Sequence, residues 1–149
     1  MWDQRYSGEA YAYGIQPNDF LFENADSLPV GKTLCLGEGE GRNAIFLAGL
    51  GHRVMALDAS KVGLEKAQKL AAHNGATIET VHVNLAGYTF EPNTWDVIVS
   101  IFCHLPEDLR KQVHRQIKIA LRPGGVFILE AYTPEQLRYG TGGPPVKEM

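Results

Sequence analysis

Basic charge is in short supply in this chain: 14 Lys and Arg against 17 Asp and Glu leave a formal net charge of −3 over 149 residues. No basic stripe is available to grip a polyanion, so nucleic acid is not an expected partner. Long apolar runs are missing too. No stretch reaches the roughly 18 apolar residues of a membrane span, and the opening MWDQRYSGEAY has neither the basic nor the apolar region of a secretory leader. A soluble, cytoplasmic protein with no membrane partner is expected. Cysteine is sparse: Cys35 and Cys103 each lie in an apolar run without a second Cys at metal-ligand spacing, and read as buried free thiols. His52, His73, His82 and His114 are scattered over expected loops and helices, so no metal is expected. Repeats and low-complexity tracts are absent apart from the Gly/Pro-rich end YGTGGPPVKEM.

What is present suffices for one core. A 44% hydrophobic chain of 149 residues predicts a single domain, residues 1–149, led in by an N-terminal arm of residues 1–31. In QPNDFLFENADSLPVGK, Pro17 suits an early helix position, and the LPVGK turn stops that helix. An alternation follows. TLCL (33–36) reads as a strand, RNAIFLAGL (42–50) as a helix ended by Gly51, and HRVMALD (52–58) as a second strand. Ser60 caps a helix over 61–75 whose Leu64, Ala67, Leu70 and Ala71 form one apolar stripe, and TIETVHV (77–83) is the third strand. WDVIVSIFC (95–103) is apolar almost throughout, the pattern of a strand covered on both faces. Pro106 opens a helix to Leu121, which RPGG ends before a fifth strand, VFILEAY (126–132). Only residues 84–94 are too polar and short for a crossover helix. The fold class is therefore α/β, a Rossmann-like three-layer open parallel sheet with five strands visible.

In such sheets ligands bind beyond the carboxyl ends of the strands, where the strand order reverses. The first strand exits into GEGEG, residues 37–41. A dinucleotide fingerprint needs its third glycine at the sixth position, where this chain has Arg42, and a phosphate-cradling P-loop needs a Lys followed by Ser or Thr, which is missing. Glu38 and Glu40 would also repel a diphosphate, by about 1 kcal/mol or more at close range. S-adenosylmethionine removes that conflict, since it carries a sulfonium and an ammonium and no phosphate. Gly37, Gly39 and Gly41 would let backbone pass close beneath it. Asp58, at the second strand's exit with Ala59 beside it, is placed to accept hydrogen bonds from both ribose hydroxyls; as an alternative it caps the next helix.

Carried by LCLGEGEGRN, ALDAS, VNLAGYTF, WDVIVSIFCHLP and LRPGGVFILEAY, the chain resembles the class I S-adenosylmethionine-dependent methyltransferases. GEGEGRNAIFLA, SIFCHLP and TPEQLRYGTGGP look closer to the small-molecule branch near the tellurite-resistance and thiopurine methyltransferases, and the opening WDQRYSGEAYAYGIQPNDFL is similar to that family's cofactor-covering segment. The resemblance implies methyl transfer from S-adenosylmethionine to a small-molecule acceptor by in-line displacement. It implies an adenine contact from Asn84 with Leu85 beside it; the alternative reading of Asn84 is an Asx-turn that ends the third strand. Phe102 would lie at the cofactor too. Where the family often has Asp two residues before the first glycine, this chain has Cys35, so Glu38 or backbone carbonyls would serve the cofactor's ammonium. Arg5, Tyr6, Tyr11 and Tyr13 could close over the cofactor, Arg5 pairing its carboxylate, or simply pack as a terminal arm. His104 could take a proton from a nucleophile; the bland reading is a residue hydrogen-bonded beside the next helix. The acceptor pocket is expected between the arm, Phe102–Leu105 and the loop AYTPEQLRYGTGG, read as a mobile lid.

The family's sheet has seven strands, the last two an antiparallel hairpin that this sequence lacks, so the domain reads as C-terminally incomplete. The fifth strand is expected as an apolar edge, to be covered by a homodimer or swapped assembly. Two other readings remain open. One is a nicotinamide-dependent oxidoreductase domain, the other a non-catalytic or truncated cofactor-binding domain.

Overall fold

The computed structural model describes residues 1–143; the last six residues of the Gly/Pro-rich end lie outside the described residues. Five strands, β1 (Lys32–Leu36), β2 (Arg53–Asp58), β3 (Glu79–His82), β4 (Trp95–Ile101) and β5 (Leu121–Glu130), form one sheet in the order β3-β2-β1-β4-β5. Every neighbouring pair is parallel. The strand order reverses beside β1, between β2 and β4, which makes its carboxyl end the switch point at which such sheets bind ligands.

Two short helices, α1 (Trp2–Tyr6) and α2 (Asp19–Asn24), precede β1, and α3 (Arg42–Gly49), α4 (Lys61–His73) and α5 (Glu107–Ala120) form the crossovers. The β3–β4 crossover is a 3₁₀ turn, Leu85–Gly87, and a loop. Alternate strand residues face opposite sides. Cys35, Ala56, Val97, Val99 and Ile128 pack with Leu21, Ala44, Leu47, Leu64 and Ala67 of α2, α3 and α4. On the other face Leu34, Leu36, Leu57 and Ile98 pack with Val113, Ile117 and Ala120 of α5 and with Leu85 and Phe90. Coverage on both sides is why β1 and β4 are apolar almost without interruption.

Three boundaries differ from those expected, each for a local reason. Pro17 lies outside α2, whose N-cap is Asn18; its side chain accepts from the Leu21 amide at 3.0 Å. Pro106 is the N-cap of α5 and not its first residue. Leu121 leaves α5 and pairs with Trp95, after which Val97 pairs with Val126, so Arg122–Gly125 bulge from β5. Pro123 cannot donate to the ladder, and Gly124 takes φ +81°, a conformation open to glycine. α1 was not foreseen. Among the described residues no strand pairs with the outer edge of β5, where Leu129 is 42% exposed.

Candidate functional site

The glycine loop after β1 is built by three left-handed residues, each for a different reason. Gly37, Gly39 and Gly41 have φ of +59°, +61° and +90°. A Cβ on Gly41 would come within 2.6 Å of the Ala67 Cβ, and one on Gly39 within 2.6 Å of the Tyr6 hydroxyl. These two glycines are therefore demanded by packing of the loop against α4 and the arm. Gly37 is likewise hemmed in, with Cys103 Sγ 2.7 Å from where a Cβ would stand, but unlike the other two it is exposed. It alone leaves open backbone at the switch point.

The two glutamates of the loop are each engaged by backbone donors. Glu38 folds back so that its carboxylate accepts the Ala44 amide at 2.7 Å, at the third residue of α3. It thus occupies the helix N-terminus where a phosphate would otherwise be held. Burial pushes its carboxyl up to about 7 despite the opposing pull of the Ala44 and Asn43 amides. Glu40 is buried against α4, ion-paired to Lys66, and accepts the Ala12 amide at 2.7 Å.

Asp58 ends β2 with both oxygens engaged, accepting from Gly39 N at 2.8 Å and from Ser60 N at 2.7 Å. It is not the cap of α4; Ser60 is, accepting from Gly63 N at 3.0 Å. Burial raises its carboxyl above the ordinary value, and the backbone donors oppose that rise. Each oxygen retains lone-pair capacity for a further donor. Ala59 is exposed beside it, its carbonyl 3.0 Å from His82 Nε2. Asn84 closes the Asx-turn onto Ala86 N at 2.9 Å, which consumes its oxygen and leaves its exposed amide nitrogen available, while Leu85 behind it is buried.

At the exits of β4 and β5 the aromatic residues gather. Phe102 adopts φ +50°, unusual for a bulky side chain, and its amide donates to the Glu130 carbonyl at 2.8 Å. The Phe102 and Tyr132 rings stack at 4.7 Å, and His104 stacks on Tyr132 at 5.4 Å. Phe102, expected at the cofactor, thus turns its ring toward the β5 side. Burial, with the nearby Arg110 cation, lowers the His104 pKa, and its Nε2 is buried without a hydrogen-bond partner among the described residues. A neutral imidazole can accept a proton, but this nitrogen is enclosed, so the ring would have to turn or use its other nitrogen to meet an acceptor. Cys103 is only half-buried, contrary to expectation, because it lies past the end of β4 against the exposed Gly37; burial still pushes its thiol up to about 12, so it is no thiolate nucleophile. Cys35 is fully buried.

The arm lies against this edge. Arg5 stacks over the Tyr13 ring at 5.5 Å, and the Tyr13 carbonyl accepts from Arg42. Three residues absent from the sequence reading belong to the frame: Lys66, Asn18 and Glu130. Asn18 Nδ2 donates to the Glu130 carboxylate at 2.7 Å, and its backbone amide donates to Asn43 Oδ1 at 2.8 Å, which ties α2, α3 and β5 together. Lys66 lies off the apolar stripe of α4, a position that gives no signal of its role. Among the described residues no cluster of His, Cys, Asp and Glu could hold a metal, and no helix is long and apolar enough to cross a membrane.

Residues 33–125 match the family model described as a methyltransferase domain. The chain is 30% identical to the 2-heptyl-1-hydroxyquinolin-4(1H)-one methyltransferase of Mycobacteroides abscessus, over 99% of this chain and 71% of that protein. It is 28% identical to thiocyanate methyltransferase 1 of Brassica oleracea, over 83% of this chain and 55% of the relative. The backbone is similar to a crystal structure of a S-adenosylmethionine-dependent methyltransferase from Clostridium acetobutylicum, with a TM-score of 0.70 and 21% identity, over 83% of this chain and 52% of that one. The chain therefore spans between about half and seven tenths of the length of these proteins.

Proposed function

The chain belongs to the methyltransferase-domain family, and on that premise we propose that residues 1–149 form a single domain that transfers a methyl group from S-adenosylmethionine to a small-molecule acceptor. The observation that carries this reading is the Glu38 carboxylate on the N-terminus of α3. A pyrophosphate would have to displace it, so the oxidoreductase alternative is disfavoured on that ground, while Asp58, an acid placed for a ribose in either cofactor, does not separate the two. A cofactor bearing positive charge meets no such obstacle, and the donor set fits it. Asp58 would accept from ribose hydroxyls, Glu38 would offer its remaining acceptor capacity to the ammonium, Gly37 would leave room for close approach, and the Asn84 amide would reach the adenine side with Ala59 and Leu85 alongside.

S-adenosylmethionine, when bound, supplies an electrophilic methyl group on a sulfonium. The chain's own residues align, exclude water and handle a proton. Phe102 and Tyr132 offer ring faces that would hold a planar acceptor and keep water out. His104, neutral because burial opposes its charge, would accept the proton of an acceptor that is not already an anion.

The finer placement near the tellurite-resistance and thiopurine branch rests on the motifs GEGEGRNAIFLA, SIFCHLP and TPEQLRYGTGGP. The names of the two curated relatives pair with a hydroxylated heteroaromatic and a small soft anion. Both acceptors are anionic or become so on losing one proton, and the Phe102–Tyr132–His104 stack favours the planar one. The test is transfer of a labelled methyl from S-adenosylmethionine to a panel of N-hydroxy and thiol heteroaromatics, thiocyanate and aliphatic alcohols. Labelling of the heteroaromatics above the alcohols is expected; no labelled product from any acceptor would overturn the activity.

A further inference from the structure

The N-terminal arm has one apolar anchor, Tyr6, at its start, and none after it. Residues 7–17 form neither helix nor strand, and of the first 17 residues only Tyr6 is fully buried. A polar arrangement centred on one side chain of α4 does the fastening. Lys66 Nζ donates to three alternate arm carbonyls, Tyr6 at 3.3 Å, Gly8 at 3.0 Å and Ala10 at 2.7 Å, and also pairs with the Glu40 carboxylate. The Tyr11 ring lies 4.8 Å from the same ammonium, and its hydroxyl reaches back to the Lys66 carbonyl. The second Glu40 oxygen takes the Ala12 amide at 2.7 Å. The two charged side chains are only 12% and 4% exposed.

Glu40 is also the residue between Gly39 and Gly41, and the Gly39 amide donates to Asp58. The Tyr6 hydroxyl abuts Gly39, and the Tyr6 ring packs on Gly63 in the first turn of α4. Asp3 adds a hydrogen bond to the Val62 amide at 3.2 Å in that same turn. The Lys66–Glu40 ion pair thus joins the arm, the glycine loop and α4, beside the Tyr6 packing and the hydrogen bonds that Asp3 accepts at the start of α4.

We propose that Lys66 and Glu40 form a clasp that holds the arm closed over the glycine loop, and that the clasp sets the affinity and residence time of the cofactor. The inference rests on the S-adenosylmethionine reading above. Lys66 is a positioning residue here: its contacts are the arm and Glu40. Removing it leaves a buried carboxylate without its counter-ion, which opens the arm. If only a fraction of molecules then has the arm closed, the apparent dissociation constant rises by the inverse of that fraction. Linkage requires the converse: bound cofactor must shift the arm's open–closed equilibrium toward closed by the same factor.

The test compares wild type with Lys66→Met, Lys66→Arg and Ala12→Pro; the last removes an arm donor without touching α4. Amide exchange of residues 7–14, with the β4 amides as the measure of global folding, reports the clasp without any cofactor. Titration and stopped-flow dissociation of S-adenosylmethionine report its consequence. Lys66→Met should speed exchange of the arm but not of β4, and weaken binding about tenfold or more, chiefly through faster dissociation. Lys66→Arg should restore most of both effects, and Ala12→Pro should give a smaller change in the same direction. Unchanged arm exchange in Lys66→Met overturns the clasp. Open arm with unchanged cofactor affinity overturns its control of the site. Failure of wild type to bind S-adenosylmethionine would sink the cofactor reading and this inference with it, and the exchange data would still tell that failure apart from an absent clasp.

Discussion

Replacing Glu38 by Gln isolates the energetic signature of the carboxylate that caps α3. In the folded protein burial raises that carboxyl to about 7, against an ordinary value of 4.5. The folded state therefore holds the proton more tightly than the unfolded chain does. The stability contribution is fully present below the unfolded value and is lost as pH rises through the folded one. A difference of about 2.5 units at 1.36 kcal/mol each makes the loss about 3 kcal/mol, nearly all of it between about pH 4.5 and pH 7. Gln resembles the protonated acid: its carbonyl can accept the Ala44 amide, and it carries no charge to desolvate. The assay is urea unfolding of wild type and Glu38→Gln across that range, read as the difference so that the histidines cancel; Asp58, whose charge adds to the rise at Glu38, enters the difference with it. The two proteins should be about equally stable near pH 4.5, and the variant should be more stable by about 3 kcal/mol near pH 8. A variant less stable than wild type near pH 8 would refute the reasoning, because the charged carboxylate would then be a net asset to the free fold.

Three further outcomes follow from the geometry. Gly41→Ala places a methyl 2.6 Å from the Ala67 Cβ at φ +90°, so it should cost about 3 kcal/mol; Ala67→Gly should be less harmful in that background than in wild type, whereas additive losses would show that the contact is not limiting. Phe102→Ala should raise the acceptor KM about tenfold and leave the cofactor Kd nearly unchanged, and the reverse pattern would put the ring at the cofactor. His104→Asn should remove an acid limb lying below pH ~6.5 from the kcat/KM profile and lower the rate about a hundredfold with an acceptor that must lose a proton; an unchanged profile would leave His104 as a packing residue only.

The strands and crossover helices were legible because their signals are local: apolar runs, a capping serine, and glycines at helix ends. Gly37–Gly41 and Asp58 were legible because topology places them at the switch point whatever their side chains touch. The parts that were not legible depend on pairs far apart in the chain. Glu40 is separated from Lys66 by a strand and a helix, and Asn18 meets Glu130 112 residues on. Neither contact leaves a periodic trace. Glu38 was recognised as an obstacle to phosphate, but its fold-back onto Ala44 is a side-chain choice that no spacing rule encodes. The bulge at Arg122–Gly125 escaped notice because RPGG reads as a helix stop and gives no hint that Leu121 has already joined the sheet.

The central claim is that this edge of the sheet, with the Glu38 carboxylate on the N-terminus of α3, accepts a cationic cofactor and rejects a diphosphate. Calorimetric titration with S-adenosylmethionine, S-adenosylhomocysteine and NAD in parallel tests it most directly. The expected result is binding of the first two with Kd in the micromolar range, about −8 kcal/mol, and no heat from NAD. Saturable binding of NAD without a response to S-adenosylmethionine would contradict it.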